Sequence, residues 1–259
     1  QAALRAGAGL VEVGLPVELD VIFSAAAPEA LSHPLPQTES GGLAPEAAKE
    51  IYERAAAADA VALGPGLGRE EATASLLAKV VRRLRRPVVV DADGLFLLGL
   101  EGLTRRRLRG VLTPHPGEMA ALFGVSAAEV QRDRLRWARE LAARTGMAVV
   151  LKGYLSVIAS PGEETWLNPT GNPGLASGGT GDVLTGLIVA LLAGGATPGE
   201  AARAGAYLHG LAGDVAAEVT GERSLLAGDV GEAIPAALKA LEDRAAAGDP
   251  GWESLFASA

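Results

Sequence analysis

The sequence predicts an α/β fold built on a central, mostly parallel sheet with helices on both faces. Two observations carry that reading. Runs such as Val88-Val89-Val90 and Val149-Val150-Leu151 are continuously apolar instead of alternating, the pattern of strands covered on both faces. Alanine- and leucine-rich stretches of helical length separate them, and strand alternating with helix feeds strands that run parallel. At 259 residues and 49% hydrophobic content the chain has the material for one large core.

Along the chain, β-branched and apolar runs place strands at 10–15, 60–63, 87–91, 110–113, 148–152, 156–159 and 165–167. Helices are expected at 44–58, 70–83, 127–145, 183–193, Pro198–Thr220 and 230–247. The strands at 156–159 and 165–167, joined through Pro161-Gly162, read as a hairpin added to the sheet. Residues 32–45, rich in Pro, Ser and Gly, read as an exposed loop, and the tail after Gly248 as loosely held. No repeat or low-complexity linker divides the sequence, so residues 1–259 are expected to form a single domain.

Composition excludes several classes of function. A formal charge of −8 disfavours a sequence-independent nucleic-acid binder, which needs a basic footprint. The clusters Arg82-Arg83-Leu84-Arg85-Arg86 and Arg105-Arg106-Arg107 read as solvated helix ends, where cations suit the helix dipole. With no cysteine, disulfides, thiolate metal sites and cysteine nucleophiles are absent. No apolar run approaches the roughly 18 residues a membrane helix needs, and no signal peptide is visible, so a cytoplasmic protein without membrane contacts is expected. Because the first residue is Gln1, the natural start is expected upstream.

In an open parallel sheet, ligands bind beyond the carboxyl ends of the strands. Four polar or glycine-rich turns fall there: Gly64-Pro65-Gly66-Leu67-Gly68, Asp91-Ala92-Asp93-Gly94, Thr113-Pro114-His115-Pro116-Gly117-Glu118 and Lys152-Gly153. The strongest signal lies further on. Gly171-Asn172-Pro173-Gly174-Leu175-Ala176-Ser177-Gly178-Gly179-Thr180-Gly181-Asp182 runs straight into an apolar helix. Glycines let amides crowd an anion, and a helix N-terminus adds unpaired N–H groups and a positive dipole end. The string lacks the Gly-Lys-Ser/Thr ending of a P-loop, and no strand leads directly into it as the dinucleotide fingerprint requires. The two asparagines of the whole chain, Asn168 and Asn172, sit beside it, which favours a site there.

Asp182 has two readings. It can cap the helix, although Thr180 or Ser177 could do so equally, or it can take the proton from a hydroxyl attacking a bound phosphate. The catalytic reading is preferred, because a carboxylate beside polyphosphate is otherwise an electrostatic liability. His115, wedged between prolines, is either structural or a ligand contact. Lys152 is either a snorkelling lysine or, leaving a buried strand beside glycine, a phosphate partner. Asp91 and Asp93 either cap the helix near Gly94 or belong to the site.

Gly-Gly-Thr-Gly-Asp opening a helix resembles the anion hole and base of ribokinase-like kinases. The longer string, with Gly64–Gly68, Thr113–Glu118, Val150-Leu151-Lys152-Gly153 and Arg5-Ala6-Gly7-Ala8-Gly9-Leu10-Val11 in matching order, is similar to the ADP/ATP-dependent NAD(P)H-hydrate dehydratases, a likeness spanning nearly the whole chain. The resemblance implies a ribokinase-like fold and a nucleotide-dependent dehydration of NADHX or NADPHX to NADH or NADPH. It implies Asp182 as base, substrate contacts at Gly66, His115 and Asp182, and nucleotide contacts at Lys152, Gly153, Tyr154, Leu155, Ser156, Gly178, Gly179, Thr180 and Gly181. It further implies Mg²⁺ with Glu118 acting near it through water, ADP or ATP as co-substrate, a homo-oligomer (a tetramer in the family), and an epimerase as fused domain or partner. Small Ala and Gly helix surfaces are expected to serve packing between subunits. The chain departs from the family in two places. Gly153-Tyr154-Leu155-Ser156 replaces the usual Gly-Ala-Gly-Thr, and a strand and Gly-Ser loop expected upstream of Arg5 are missing, which leaves one substrate-contacting alanine unassigned. The competing functions are a ribokinase-like kinase for a vitamin precursor such as a hydroxymethylpyrimidine or hydroxyethylthiazole, and a non-catalytic nucleotide-binding regulator, which has no need of Asp182.

Overall fold

A computed structural model describes residues 1–105 and 108–248. The expected loose tail and part of the Arg105–Arg107 cluster therefore lie outside the described residues. In chain order the elements are α1 (Ala2–Arg5), β1 (Glu12–Pro16), α2 (Asp20–Ala26), β2 (Leu31–Leu35), α3 (Ala48–Ala57), β3 (Val61–Leu63), α4 (Glu71–Val81), β4 (Val88–Val90), α5 (Ala92–Arg105), β5 (Gly110–Leu112) and α6 (Pro116–Phe123). They continue with α7 (Ala127–Arg132), α8 (Arg134–Thr145), β6 (Ala148–Leu151), β7 (Val157–Ala159), β8 (Trp166–Leu167), α9 (Thr180–Ala193), α10 (Pro198–Thr220) and α11 (Ala227–Ala246).

The main sheet takes its strands in sequence order, β3-β4-β5-β6-β7-β8. Pairs from β3 to β6 are parallel, and β7 and β8 are antiparallel, which is the hairpin expected around Pro161-Gly162. The apolar runs are covered on both sides, as their sequence required. Val88, Val89 and Val90 are each 0% exposed, and burying such a side chain stabilises by about 1.5–3 kcal/mol. Alternation sorts them: Val88 and Val90 join a core with Leu77, Leu95, Leu103 and Leu141 of α4, α5 and α8, whereas Val89 joins Leu184, Ile188 and Ala202 of α9 and α10 on the opposite face. A further core packs α11 on α10 and α9 through Leu187, Leu208, Val230 and Ile234.

Several expectations need correction. The start of the loop expected at 32–45 is instead strand β2, Leu31–Leu35, which pairs in parallel with β1 in a separate two-stranded sheet. The strand was masked by Pro34, which sits opposite Leu15, and by having only Leu35 driven inward, against Leu76 and Val80 of α4. β1 thus lies outside the main sheet. The expected helix at 127–145 is two helices, because Asp133 leaves helical geometry (φ −149°, ψ 69°) and caps the second through the amide of Arg136 at 3.0 Å. The Ala and Gly surface of α10 is buried within the chain instead of being offered to another subunit. Gly205 meets Ile188 and Gly213 meets Leu175 so closely that a Cβ would lie 2.5 and 2.7 Å from those side chains. The exposed large apolar residues cluster elsewhere, at Leu10, Val17, Leu19, Val21, Ile22 and Leu31 around β1, α2 and β2. Among the described residues no helix is long and apolar enough to cross a membrane.

Candidate active site

The carboxyl ends of β4, β5 and β6 and the start of α9 meet in one cluster. Asp91 directly follows β4 and is 1% exposed. Its Oδ1 accepts from Lys152 Nζ, at the end of β6, at 2.8 Å, and its Oδ2 accepts from Thr185 Oγ1 of α9 at 2.8 Å. Lys152 Nζ also lies 3.7 Å from Glu118 Oε2. A Cβ placed on Gly181 would stand 3.4 Å from that same Nζ, so the ammonium faces the first turn of α9.

That turn is open. Gly179, at φ 87° and ψ −15°, is the N-cap and provides no side chain. Thr180 does not cap: its hydroxyl points back to the carbonyls of Leu175 (2.7 Å) and Ser177 (3.0 Å) and pins the loop. Asp182 does not cap either, although its amide donates to the Gly179 carbonyl at 3.0 Å. Among the described residues nothing accepts from the amides of Gly178, Gly179, Thr180 and Gly181, and Gly178 and Gly179 are exposed. Unpaired amides at a helix start are an anion site in waiting. The helix begins at Thr180, earlier than the residue 183 expected from hydrophobicity.

Asp182 is exposed at the rim of this turn. Partial burial of its carboxyl raises its pKa above the ordinary aspartate value; the charge of Asp91 adds to the rise and Lys152 opposes it. A raised pKa beside open amides suits a proton acceptor better than a cap does.

The remaining expected residues divide. His115 and Glu118 reach the cluster but are engaged in capping α6: His115 Nδ1 accepts from the amides of Gly117 (2.9 Å) and Glu118 (3.2 Å), while Glu118 Oε2 accepts from the His115 amide at 2.7 Å. The structural reading of His115 therefore holds for one ring nitrogen, and Nε2 is left 3.5 Å from Glu118 Oε1. Gly66 lies in the turn after β3, at φ 70° with open space around its Cα. Its neighbour Gly64 packs onto Asp91, where a Cβ would fall 1.8 Å from the Asp91 carbonyl oxygen. Asp93 binds the Gly68 amide (3.0 Å) and Arg69 Nε (2.7 Å), and so secures that turn.

The stretch from Gly153 to Ser156 leads away from the cluster. Tyr154 is 87% exposed, and it and Leu155 line a shallow depression of about 310 Å³ with Arg132, Arg134, Leu135 and Leu167. Ser156 Oγ donates to its own turn, at the Gly153 carbonyl, 3.1 Å away.

Both asparagines support the site without lining it. Asn168 Nδ2 donates to the Ala206 carbonyl (3.0 Å) and Asn172 Nδ2 to Asp214 Oδ1 (3.0 Å), so the glycine-rich loop is clasped onto α10. Two residues had no role in the sequence reading. Thr185 holds Asp91. His209 Nε2 lies 2.8 Å from the Thr180 carbonyl, and burial lowers its pKa to about 4, so a neutral imidazole donates that bond. A lone histidine on a long helix gave no signal, whereas an aspartate ending an all-apolar strand did.

A three-layer α/β sheet with an open glycine-rich helix start and an adjacent aspartate defines the ribokinase-like class. A ribokinase-like superfamily protein from Enterococcus faecalis superposes with a TM-score of 0.77 at 28% identity, over 92% of this chain and 79% of that one. Residues 1–236 match the Carb_kinase family model, described as NAD(P)H-hydrate dehydratase, and the chain belongs to that family. The ADP/ATP-dependent NAD(P)H-hydrate dehydratase from Bacillus subtilis, co-crystallised with ATP/Mg²⁺, is similar at a TM-score of 0.76 and 33% identity, over 92% of this chain and 81% of that one. The bifunctional NAD(P)H-hydrate repair enzyme Nnr of Moorella thermoacetica is 45% identical over 244 residues, which is 93% of this chain and 46% of that protein. The chain thus spans about half the length of that curated relative.

Proposed function

We propose that this chain converts NADHX or NADPHX to NADH or NADPH, with ADP or ATP as phosphoryl donor. The observation that carries the proposal is the row of amides from Gly178 to Gly181, unpartnered among the described residues, with the Asp182 carboxylate in the same exposed turn. The amides and Lys152 hold the terminal phosphates, where such donors stabilise charge on a transferring phosphoryl group. Asp182 takes the proton from the C6 hydroxyl of the hydrate, and the freed oxygen attacks the terminal phosphorus, breaking its bond to the nucleotide. Phosphate then leaves C6 as a proton leaves C5, which restores the ring double bond. NAD(P)H is a product here, not a redox cofactor.

No three acidic or histidine side chains converge to cage a metal among the described residues. This fits Mg²⁺, which usually keeps several waters and is held through substrate phosphates and one or two carboxylates. Glu118, whose Oε1 is free of amide donors, is the residue that would hold it through water. When bound, the ion neutralises charge building on the phosphates.

Gly66 and His115 Nε2 are proposed substrate contacts, and Lys152 to Ser156 with Gly178 to Gly181 the nucleotide contacts; the Tyr154 and Leu155 side chains take part only if the nucleotide reaches toward their depression. The apolar cluster around α2 supports self-association, with a tetramer as the proposed state, and the bifunctional relatives support an epimerase as fused or separate partner. A cytoplasmic setting completes the proposal.

Incubating the chain with NADHX, ADP or ATP and Mg²⁺ and following NADH absorbance tests the activity. Asp182→Asn is expected to lower turnover by about 10²–10⁴-fold while ADP binding is kept. Turnover that survives the substitution removes Asp182 as base, and a stable phosphorylated product would instead favour a small-molecule kinase.

A further inference from the structure

We infer that Asp91 is a positioning residue for nucleotide binding: its buried carboxylate fixes the Lys152 ammonium against the open end of α9. The inference rests on the reading that this end receives the nucleotide's phosphates. Asp91 is 1% exposed, and a carboxylate so deep is retained only with charged or hydrogen-bonding partners. It has one for each oxygen, and they come from different elements: Lys152 from the end of β6 at 2.8 Å, Thr185 from α9 at 2.8 Å. One group thereby ties two strand ends to the phosphate-facing helix.

Stability alone does not account for it. A buried ion pair is commonly no more stabilising than apolar side chains of the same volume. The backbone beside it is also strained: Ala92 adopts φ 46°, a left-handed conformation unfavourable for an L-residue. The pair has a directional consequence. Lys152 is 21% exposed at its side chain, and its other ion-pairing carboxylate is Glu118 at 3.7 Å. Without Asp91, the 2.8 Å bond that fixes the ammonium is lost, and Glu118 and the charge of Asp182 compete for it. The charge of Asp91 also contributes to the raised pKa of Asp182, so the same residue serves both the cation and the base.

The test is a double-mutant cycle in ADP binding, measured by calorimetry on the full chain, which needs no turnover. Asp91→Asn and Lys152→Met are each expected to weaken ADP about tenfold, and the double variant is expected to bind no worse than Lys152→Met alone. Unchanged binding in either single variant, or losses that multiply in the double, overturns the inference. If Asp91→Asn fails to fold, Thr185→Val replaces it, with a loss of about threefold that vanishes in the Lys152→Met background; no loss, or a loss that persists there, again overturns it. A wild-type chain that binds no ADP would sink the nucleotide reading itself, an outcome separate from wild-type binding with uncoupled variants.

Discussion

The two loops that flank the Asp91–Lys152 pair are held in opposite ways. The glycine-rich loop is fastened to α10 along its length: Asn168 to the Ala206 carbonyl, Thr170 Oγ1 to the Tyr207 carbonyl (2.8 Å), and Asp214 to both the Gly171 amide (2.9 Å) and Asn172 (3.0 Å). The turn after Lys152 is held from outside by Arg134, whose guanidinium reaches the carbonyls of Leu151 (3.0 Å) and Tyr154, and from within by Ser156 Oγ on the Gly153 carbonyl, with Leu155 in a left-handed conformation at φ 50° and Tyr154 in solvent. The contrast separates two tasks. The amides proposed to meet a phosphate are immobilised in advance, as preorganised electrostatic stabilisation requires. The second turn, where this chain departs from the family pattern, is left adaptable.

Unfastening the first loop gives the largest expected effect. A Cβ at Gly210 would lie 2.2 Å from Thr170 Oγ1 and 2.6 Å from the Thr170 carbonyl carbon, so Gly210→Ala must push the loop off α10. A loss of about 3 kcal/mol in stability is expected from such overpacking, read by denaturant titration, together with loss of ADP binding. Stability within 1 kcal/mol of wild type, about the scale of a tolerated swap, would mean the clasp is dispensable.

The second effect depends on pH. His209 is neutral in the folded chain because burial lowers its pKa to about 4, below the roughly 6.5 of an unfolded histidine. With the folded value depressed, the unfolded state binds more protons in that window, so stability falls as pH drops from about 6.5 towards 4. The drop attributable to this group is up to roughly 3 kcal/mol. His209→Gln keeps a donor for the Thr180 carbonyl and should flatten that part of the curve; an unaltered acid limb would place the sensitivity elsewhere.

The smallest effect is expected on the adaptable side. Arg134→Ala removes the donors to two carbonyls and should lower stability by about 1–3 kcal/mol. It should weaken nucleotide binding while leaving the hydrate's KM unchanged. A change confined to the hydrate's KM would place this turn at the substrate and not at the nucleotide.

Most of the main sheet was legible in the sequence because its strands are buried on both faces and therefore continuously apolar. The hairpin was legible from Pro161-Gly162. What escaped was structure stabilised by few apolar residues: β2, with one inward leucine and a proline, and the break at Asp133 inside an otherwise helical stretch. For the site, glycine and carboxylate chemistry marked the Gly178–Asp182 turn, which the structure forms as an open helix start with Asp182 exposed in it. The clustered asparagines turn out to clasp the glycine-rich loop to α10, since scarcity of a residue type signals constraint but does not distinguish a ligand contact from a clasp. Thr185 and His209 were silent because their roles exist only once α9 and α10 cross the sheet.

The sequential strand order bears on how the molecule assembles during synthesis. From β3 to β8 each strand joins the one made just before it, so the sheet grows in one direction, the parallel strands being added one helical crossover at a time. α9 then returns to lie across β3 and β4, strands completed long before. A nascent chain that ends ahead of Thr180 therefore carries all the strands described here and none of the helix that would grip ADP. The α9 end of the proposed nucleotide site is added to a sheet already laid down.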